Sequence, residues 1–204
     1  MNIKKIKVGG HCVNIQLLNK FINHNGEVGI CDSSSSSILI SKTCDGDIIH
    51  DQTLVECLLH EVLHFIDHVY CSNILKEIDI RGTAKYLLYI FDKNDLFSLP
   101  KTIDILGYIY DIQYDCKFRH TADNDVFMNV NRSTQVISIR GSNLDGSNIS
   151  NSHIIVNLLV SILDIFNNEY DIVNDKVNNF AQGLFQVLSD NKNFYKLFKW
   201  GDNK

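Results

Sequence analysis

Proline is nearly missing from this 204-residue chain: Pro100 is the only one, and neither proline nor glycine falls between residues 51 and 71. A helix over that stretch therefore meets no breaker. Cysteine occurs six times, at Cys12, Cys31, Cys44, Cys57, Cys71 and Cys116, yet never as Cys-x-x-Cys. Free thiols in a reducing cytosol are the expectation. No apolar run is long enough to cross a bilayer, and the start, Met1 to Lys7, carries three lysines with no long apolar segment behind them. Neither a signal peptide nor an anchor is expected, and the chain reads as cytoplasmic with no membrane partner. Nor is there a basic excess: 19 Lys and Arg face 24 Asp and Glu, a formal net charge of -5. No nucleic-acid partner is expected, and Lys4-Lys5-Lys7 and the lysines from Lys192 to Lys199 read as solvated faces. What the chain does have is 45% hydrophobic residues, enough for a core in one ordinary domain or two small ones.

Residues 3 to 8 and 11 to 18 alternate apolar and polar positions around Gly9-Gly10, which predicts a hairpin. Glu27 to Cys31 and Ile38 to Ser41 predict a second one, with the serine run Ser33 to Ser37 as its solvated tip. A helix is expected to begin near Asp51 and Thr53, either of which could cap it, and a second to run from about Ile74 to Phe91. Asp92-Lys93-Asn94-Asp95 ends that helix, and Leu99-Pro100-Lys101 reads as a linker. Strands followed by helices indicate the α+β class.

The stretch that carries chemistry is Leu58-Leu59-His60-Glu61-Val62-Leu63-His64-Phe65-Ile66-Asp67. On a helix His60 and His64 are neighbours on one face, with Cβ atoms roughly 5–6 Å apart, so both rings can reach one zinc ion. Glu61 sits beside the metal, where a carboxylate can take the proton of a zinc-bound water that attacks a carbonyl. A satisfied pair of helix-surface histidines is the plainer alternative. Leu54, Val55, Leu58, Leu59, Val62, Leu63 and Ile66 make an apolar surface wider than one stripe, so the helix should be largely buried with the histidines opening onto a cleft. Cys57, three residues before His60, is expected to pack. Asp67 could orient the His64 ring or stand as a solvated helix-end carboxylate. The longer metzincin motif needs a glycine and a histidine where this chain has Asp67 and Tyr70. His68 is one turn beyond His64, but three ligands along one straight helix seldom converge on a single ion.

The rest of the chain echoes the first part. Lys7 to Gln16 lines up with Asp104 to Gln113, matching Gly10 to Gly107, Ile15 to Ile112 and Gln16 to Gln113. Val126 to Val130 and Gln135 to Ile139, split by Asn131-Arg132-Ser133-Thr134, offer another hairpin. Leu58 to His64 lines up with Leu158 to Asp164, Ala84 with Ala181 and Asn94 with Asn191, the offset moving from 97 to 100 and back as loop insertions would make it. Each half would then hold two hairpins followed by two helices, in units 1–98 and 99–204, a tandem pseudo-repeat suited to forming an internal pseudo-dimer. The second unit has Val160, Ser161 and Asp164 in place of His60, Glu61 and His64, a set that cannot hold zinc. A short terminal helix from Phe194 to Trp200 is expected to pack against the rest.

Thr53 to Asp67, preceded by two hairpins, resembles the small zincin-like metallopeptidase proteins of phages and mobile elements related to the ImmA/IrrE group. Phe180 to Asn191 is similar to the helix that usually closes those proteins. The resemblance implies a compact zincin-like unit of sheet and helices, one zinc held by His60 and His64, and Glu61 as general base. It also implies a third ligand from an acidic residue on the following helix, five positions before a packing alanine. Here that residue is Asp79, before Ala84, an Asp where Glu is usual, and Glu77 is the competing candidate.

The leading expectation is a zinc-dependent metallopeptidase acting on a protein or peptide substrate, with Zn2+ as cofactor and Glu61 as base and later proton donor. Tyr70, Tyr86 and Tyr89 are available types for an oxyanion donor. The alternative is a non-catalytic zincin scaffold of phage or mobile-element origin that binds a protein partner inside a bacterial host. A zinc that only held the fold would need a fourth protein ligand, for which His68 is at hand.

Overall fold

The computed structural model describes residues 3–21, 27–114, 127–143, 146–167 and 176–199; Cys116, Val126 and Trp200 lie outside them. Gly9-Gly10 join β1 (Lys5–Val8) to β2 (His11–Leu18) in an antiparallel hairpin with Lys7 opposite Cys12. β3 (Gly29–Asp32) and β4 (Ser37–Ser41) form the second hairpin, Cys31 opposite Ile38. At its tip the Asp32 carboxylate accepts from the N–H and the hydroxyl of both Ser34 and Ser35, a turn closed by its own side chain. The hairpins do not stand apart: β2 and β4 pair in parallel, Ile15 opposite Ile38, giving one four-stranded sheet of order β1-β2-β4-β3. Alternation buries Ile6, Val8, Val13, Ile15, Ile38 and Ile40 on one face. A small hairpin, β5 (Thr43–Cys44) and β6 (Asp47–Ile48), precedes the first helix.

That helix, α1 (Asp51–Ile66), packs on the sheet through Leu58, Leu59, Val62, Leu63 and Ile66, all 0% exposed, each such burial stabilising by about 1.5–3 kcal/mol. Its N-cap position is His50, which makes no side-chain cap bond, so the caps expected of Asp51 or Thr53 do not form. Past Ile66 the helix widens into a π-helical turn, Asp67–Cys71. Asp67 is buried, and its two oxygens accept from the N–H groups of Ile74 and Leu75 at 3.3 and 3.2 Å. They are committed to this turn rather than to the His64 ring or to solvent. Ser72 and Asn73, both at positive φ, reverse the chain, and α2 (Glu77–Lys93) runs back beside α1, starting later than the sequence pattern indicated.

After a 3-10 turn at Leu96–Ser98 come β7 (Thr102–Ile105), β8 (Tyr108–Gln113), β9 (Met128–Asn131) and β10 (Val136–Ile139). They form a second four-stranded sheet of order β7-β8-β10-β9, again parallel between the middle pair. The likeness extends to single hydrogen bonds. Asn14 N–H donates to the Ser36 carbonyl and Asp111 N–H to that of Gln135, both at 2.9 Å; Ser41 N–H donates to Val28 and Arg140 N–H to Phe127, at 2.8 and 2.9 Å. Among the described residues that follow are the helices α3 (Asn151–Asn167), α4 (Val177–Asp190) and the short α5 (Lys192–Lys196).

Each half closes the other. Asn94, just past α2, donates from Nδ2 to the Asp104 carbonyl and accepts from the Asp104 N–H, both at 3.0 Å, on the edge strand β7. Asn191, just past α4, makes the same pair of bonds with Lys7 on the edge strand β1, both at 2.9 Å. Each amide stands where a neighbouring strand would be and blocks further pairing at that edge. α4 also crosses the end of α1: a Cβ on Gly183 would lie 2.6 Å from Tyr70 Cδ2 and 2.8 Å from Ile66 Cγ2, and the Tyr70 hydroxyl donates to Gln186. In the corresponding place Tyr86 of α2 stacks on Phe166 of α3, 5.0 Å between centroids. The buried residues of both halves form one core cluster, to which Phe194 and Phe198 belong. The α+β class expected from the sequence is the class observed. Among the described residues no helix is long and apolar enough to cross a membrane.

Candidate metal centre

One turn of α1 separates His60 from His64 and brings their rings together, Nε2 to Nε2 at 3.0 Å and centroids at 4.7 Å. The reversal held by Asp67 sets the start of α2 opposite them. Glu77, in its first turn, reaches both rings, with Oε2 2.9 Å from His64 Nε2 and Oε1 3.2 Å from His60 Nε2. A tetrahedral zinc site with arms of about 2.0–2.1 Å has donor atoms roughly 3.4 Å apart. The three donors nearly match that spacing, and two imidazoles with one carboxylate are a set that zinc accepts in sites keeping a position open. Among the described residues this trio is the group of three or more potential ligands close enough to share an ion.

The residue brought to the two rings is Glu77, the competing candidate, and not Asp79. Asp79 is buried and is not part of the trio. Two residues along a helix turn a side chain by about 200°, so when Glu77 faces α1's histidines Asp79 faces away from them. His68, in the π-helical turn, pairs its Nδ1 with the Asn73 amide at 3.0 Å and stays outside the trio, although it borders the cleft. Tyr70 is turned to Gln186, Tyr86 to Phe166, and the Tyr89 hydroxyl to Asp104 at 3.1 Å, so all three are engaged elsewhere.

Glu61 lies beside the trio, its Oε1 4.0 Å from His60 Nε2, and is 6% exposed. Burial, with the nearby Glu77 and Glu27 carboxylates, pushes its carboxyl up to about 7, against a hydrogen bond from the Cys31 backbone N–H that favours the charged form. Burial also lowers the His60 pKa, as do His64 and Arg81, while Glu77 opposes them. A cleft of about 710 Å3 opens here between β3, α1 and α2, bordered by Gly29, Cys31, Cys57, Arg81 and the residues just described. Burial raises the Cys31 and Cys57 thiols to about 12 and about 11, so both stay protonated near neutrality.

Two residues of this site were not singled out from sequence. Arg81 donates to Glu77 Oε1 at 3.1 Å and holds that carboxylate from its solvent side. Its i, i+4 spacing from Glu77 was the available signal. Gly29 lies against Glu61, and a glycine inside an otherwise β-forming stretch was the signal there. In the second half, Ser161 is buried and donates to the Asn157 carbonyl at 2.9 Å, while Arg132 bonds both the carbonyl and the carboxylate of Asp164. Comparison with known proteins finds no matching family model and no similar curated protein or solved structure.

Proposed function

We propose that the chain is a zinc-dependent metallopeptidase of the zincin type, related to the phage and mobile-element proteins of the ImmA/IrrE group. The observation that carries this reading is the convergence of His60, His64 and Glu77 in a cleft, with a buried glutamate, Glu61, 4.0 Å from one of the rings. His60 and His64 would hold zinc through Nε2 and Glu77 through a carboxylate oxygen. Zinc, when bound, lowers the pKa of a coordinated water and polarises the scissile carbonyl. Glu61 accepts the proton of the attacking water and passes it to the leaving amine, a role that suits a carboxyl lifted towards neutral pH by burial. Arg81 steadies Glu77, and its exposure keeps that contribution small. Three donors facing an open cleft support a catalytic over a purely structural zinc, since structural sites close with four protein ligands.

The substrate class is a protein or peptide, the compartment the cytoplasm of a bacterial host, and the second half an inactive copy paired with the first as an internal pseudo-dimer. The shared strand order and matching hydrogen bonds of the two sheets support that last point. A scaffold that binds a protein partner without catalysis is the second reading, favoured by the inward-bonded Ser161 and the Arg132-bound Asp164 of the second half. Metal analysis of the purified protein after zinc repletion separates the two. One zinc per chain, lost in His60→Ala, with hydrolysis of a protein substrate that Glu61→Gln abolishes, is the peptidase outcome. Absence of stoichiometric zinc sinks it.

A further inference from the structure

Gly29 opens β3, paired with Ile40, and its backbone is not in the positive-φ region that favours glycine. A paired strand position gains little from glycine, which loses the most freedom on ordering and packs nothing, and a glycine there without a positive φ marks a place where another group comes close. Here the close group is identified: a Cβ at this position would lie 2.8 Å from both Cγ and Cδ of Glu61 and would run into its Oε1. The glutamate thus runs across the strand through the space that a side chain at 29 would fill. Two residues on, the Cys31 N–H bonds the same carboxylate. Strand and helix together fix Oε1 beside His60.

The second sheet shows what the same position holds without this chemistry. Met128 faces Ile139 in β10 as Gly29 faces Ile40 in β4, and α3 carries Ser161 where α1 carries Glu61. A long side chain is accepted in the strand when the helix residue is short, so glycine is tied to the glutamate and not to the strand.

We propose that Gly29 is a positioning residue, which keeps open the space in which the Glu61 carboxylate is held against Cys31 and turned towards the metal ligands. The proposal rests on Glu61 being the base for its catalytic meaning, but the placement can be tested without activity. Four proteins are compared: wild type, Gly29→Ala, Glu61→Ser and the double variant. In the wild-type background Gly29→Ala is expected to lower Tm by about 2–10 °C, as overpacking does in a chain of this size. In the Glu61→Ser background the same change should be neutral or raise Tm, because it then only removes freedom from the unfolded chain. The Cys31 amide proton, shifted downfield by the carboxylate in the wild type, should move upfield in Gly29→Ala to the position it takes in Glu61→Ser.

Zinc stoichiometry should be unchanged in Gly29→Ala, and peptide hydrolysis should lose about 100-fold in kcat with little change in KM, the usual cost of a misplacement of about 1 Å. Equal Tm losses in both backgrounds, or an unmoved Cys31 amide, overturn the proposal. Should Gly29→Ala fail to fold, recovery of folding in the double variant supports it and continued failure overturns it. A wild type that hydrolyses nothing defeats the peptidase reading alone, since the Tm comparison and the amide shift still decide the role of Gly29.

Discussion

Over the first sheet, α1 turns His60, Glu61 and His64 towards an open cleft; over the second, α3 has Val160, Ser161 and Asp164, one bonded inward to Asn157 and one taken up by Arg132. The apolar positions of the two helices are the same. Leu58, Leu59, Val62 and Leu63 are 0% exposed, and so are Leu158, Leu159, Ile162 and Leu163. Packing on the sheet is therefore satisfied without any of the three polar residues. A carboxylate buried like Glu61 costs stability unless it is compensated, and the Cys31 N–H is what the described backbone offers it. The packing of α1 on its sheet does not call for it, and the base role proposed for Glu61 would explain its presence.

That contrast can be broken or sharpened by experiment. Glu61→Gln is expected to lower turnover by roughly 10²–10⁴-fold, the usual contribution of a general base, with bound zinc retained. Full activity in this variant would remove the chemical distinction between α1 and α3. Glu77→Ala should weaken zinc binding by more than about 100-fold, beyond the roughly 10–100-fold that losing an outer partner costs. Asp79→Asn should leave the zinc bound, and competition with a chelator measures both. The opposite ranking would restore Asp79 as the ligand.

Smaller effects test where the halves are alike. Asn94→Ala and Asn191→Ala each remove a pair of strand-edge bonds, at about 1–3 kcal/mol apiece, and thermal melting should show falls of similar size. A large inequality would mean that the two closures are not equivalent. The smallest effect concerns the hairpin tips. The Asp32 carboxyl is lowered from 3.8 to about 2, first by the hydroxyls of Ser34 and Ser35 and then by backbone N–H groups. A depressed carboxyl contributes stability above its unfolded pKa and loses it as pH falls through the folded one. Asn131 makes the same kind of turn with Ser133 and Thr134 but carries no charge. Asp32→Asn should therefore flatten the stability curve between pH 3.8 and about 2, and Asn131→Ala should leave its shape unchanged.

Local pattern makes the hairpins, the motif helix and the His60, Glu61 and His64 face legible in the sequence itself. Alternation and helical spacing act over a few residues and survive in any tertiary setting. The parallel pairing of β2 with β4 was hidden, because register between distant strands depends on which faces share a core. The choice between Glu77 and Asp79 was hidden for a related reason. It turns on where α2 starts, and that is set by the buried Asp67 carboxylate gripping Ile74 and Leu75 across a π-helical turn. The match of Asn94 to Asn191 was visible in the sequence, but not that each amide closes the opposite half.

Those two crossed closures have a mechanical meaning. Releasing Asn191 from Lys7 frees the edge of the first half and loosens the hold on α4, the helix that carries Gly183 against Ile66 and Tyr70. Releasing Asn94 from Asp104 does the reverse through α2, the helix that bears Glu77. Neither half has a private opening route, so native-state hydrogen exchange should find the Lys7 and Asp104 amides in one cooperative unit. On that outcome the second half sets how often the cleft of the first comes undone.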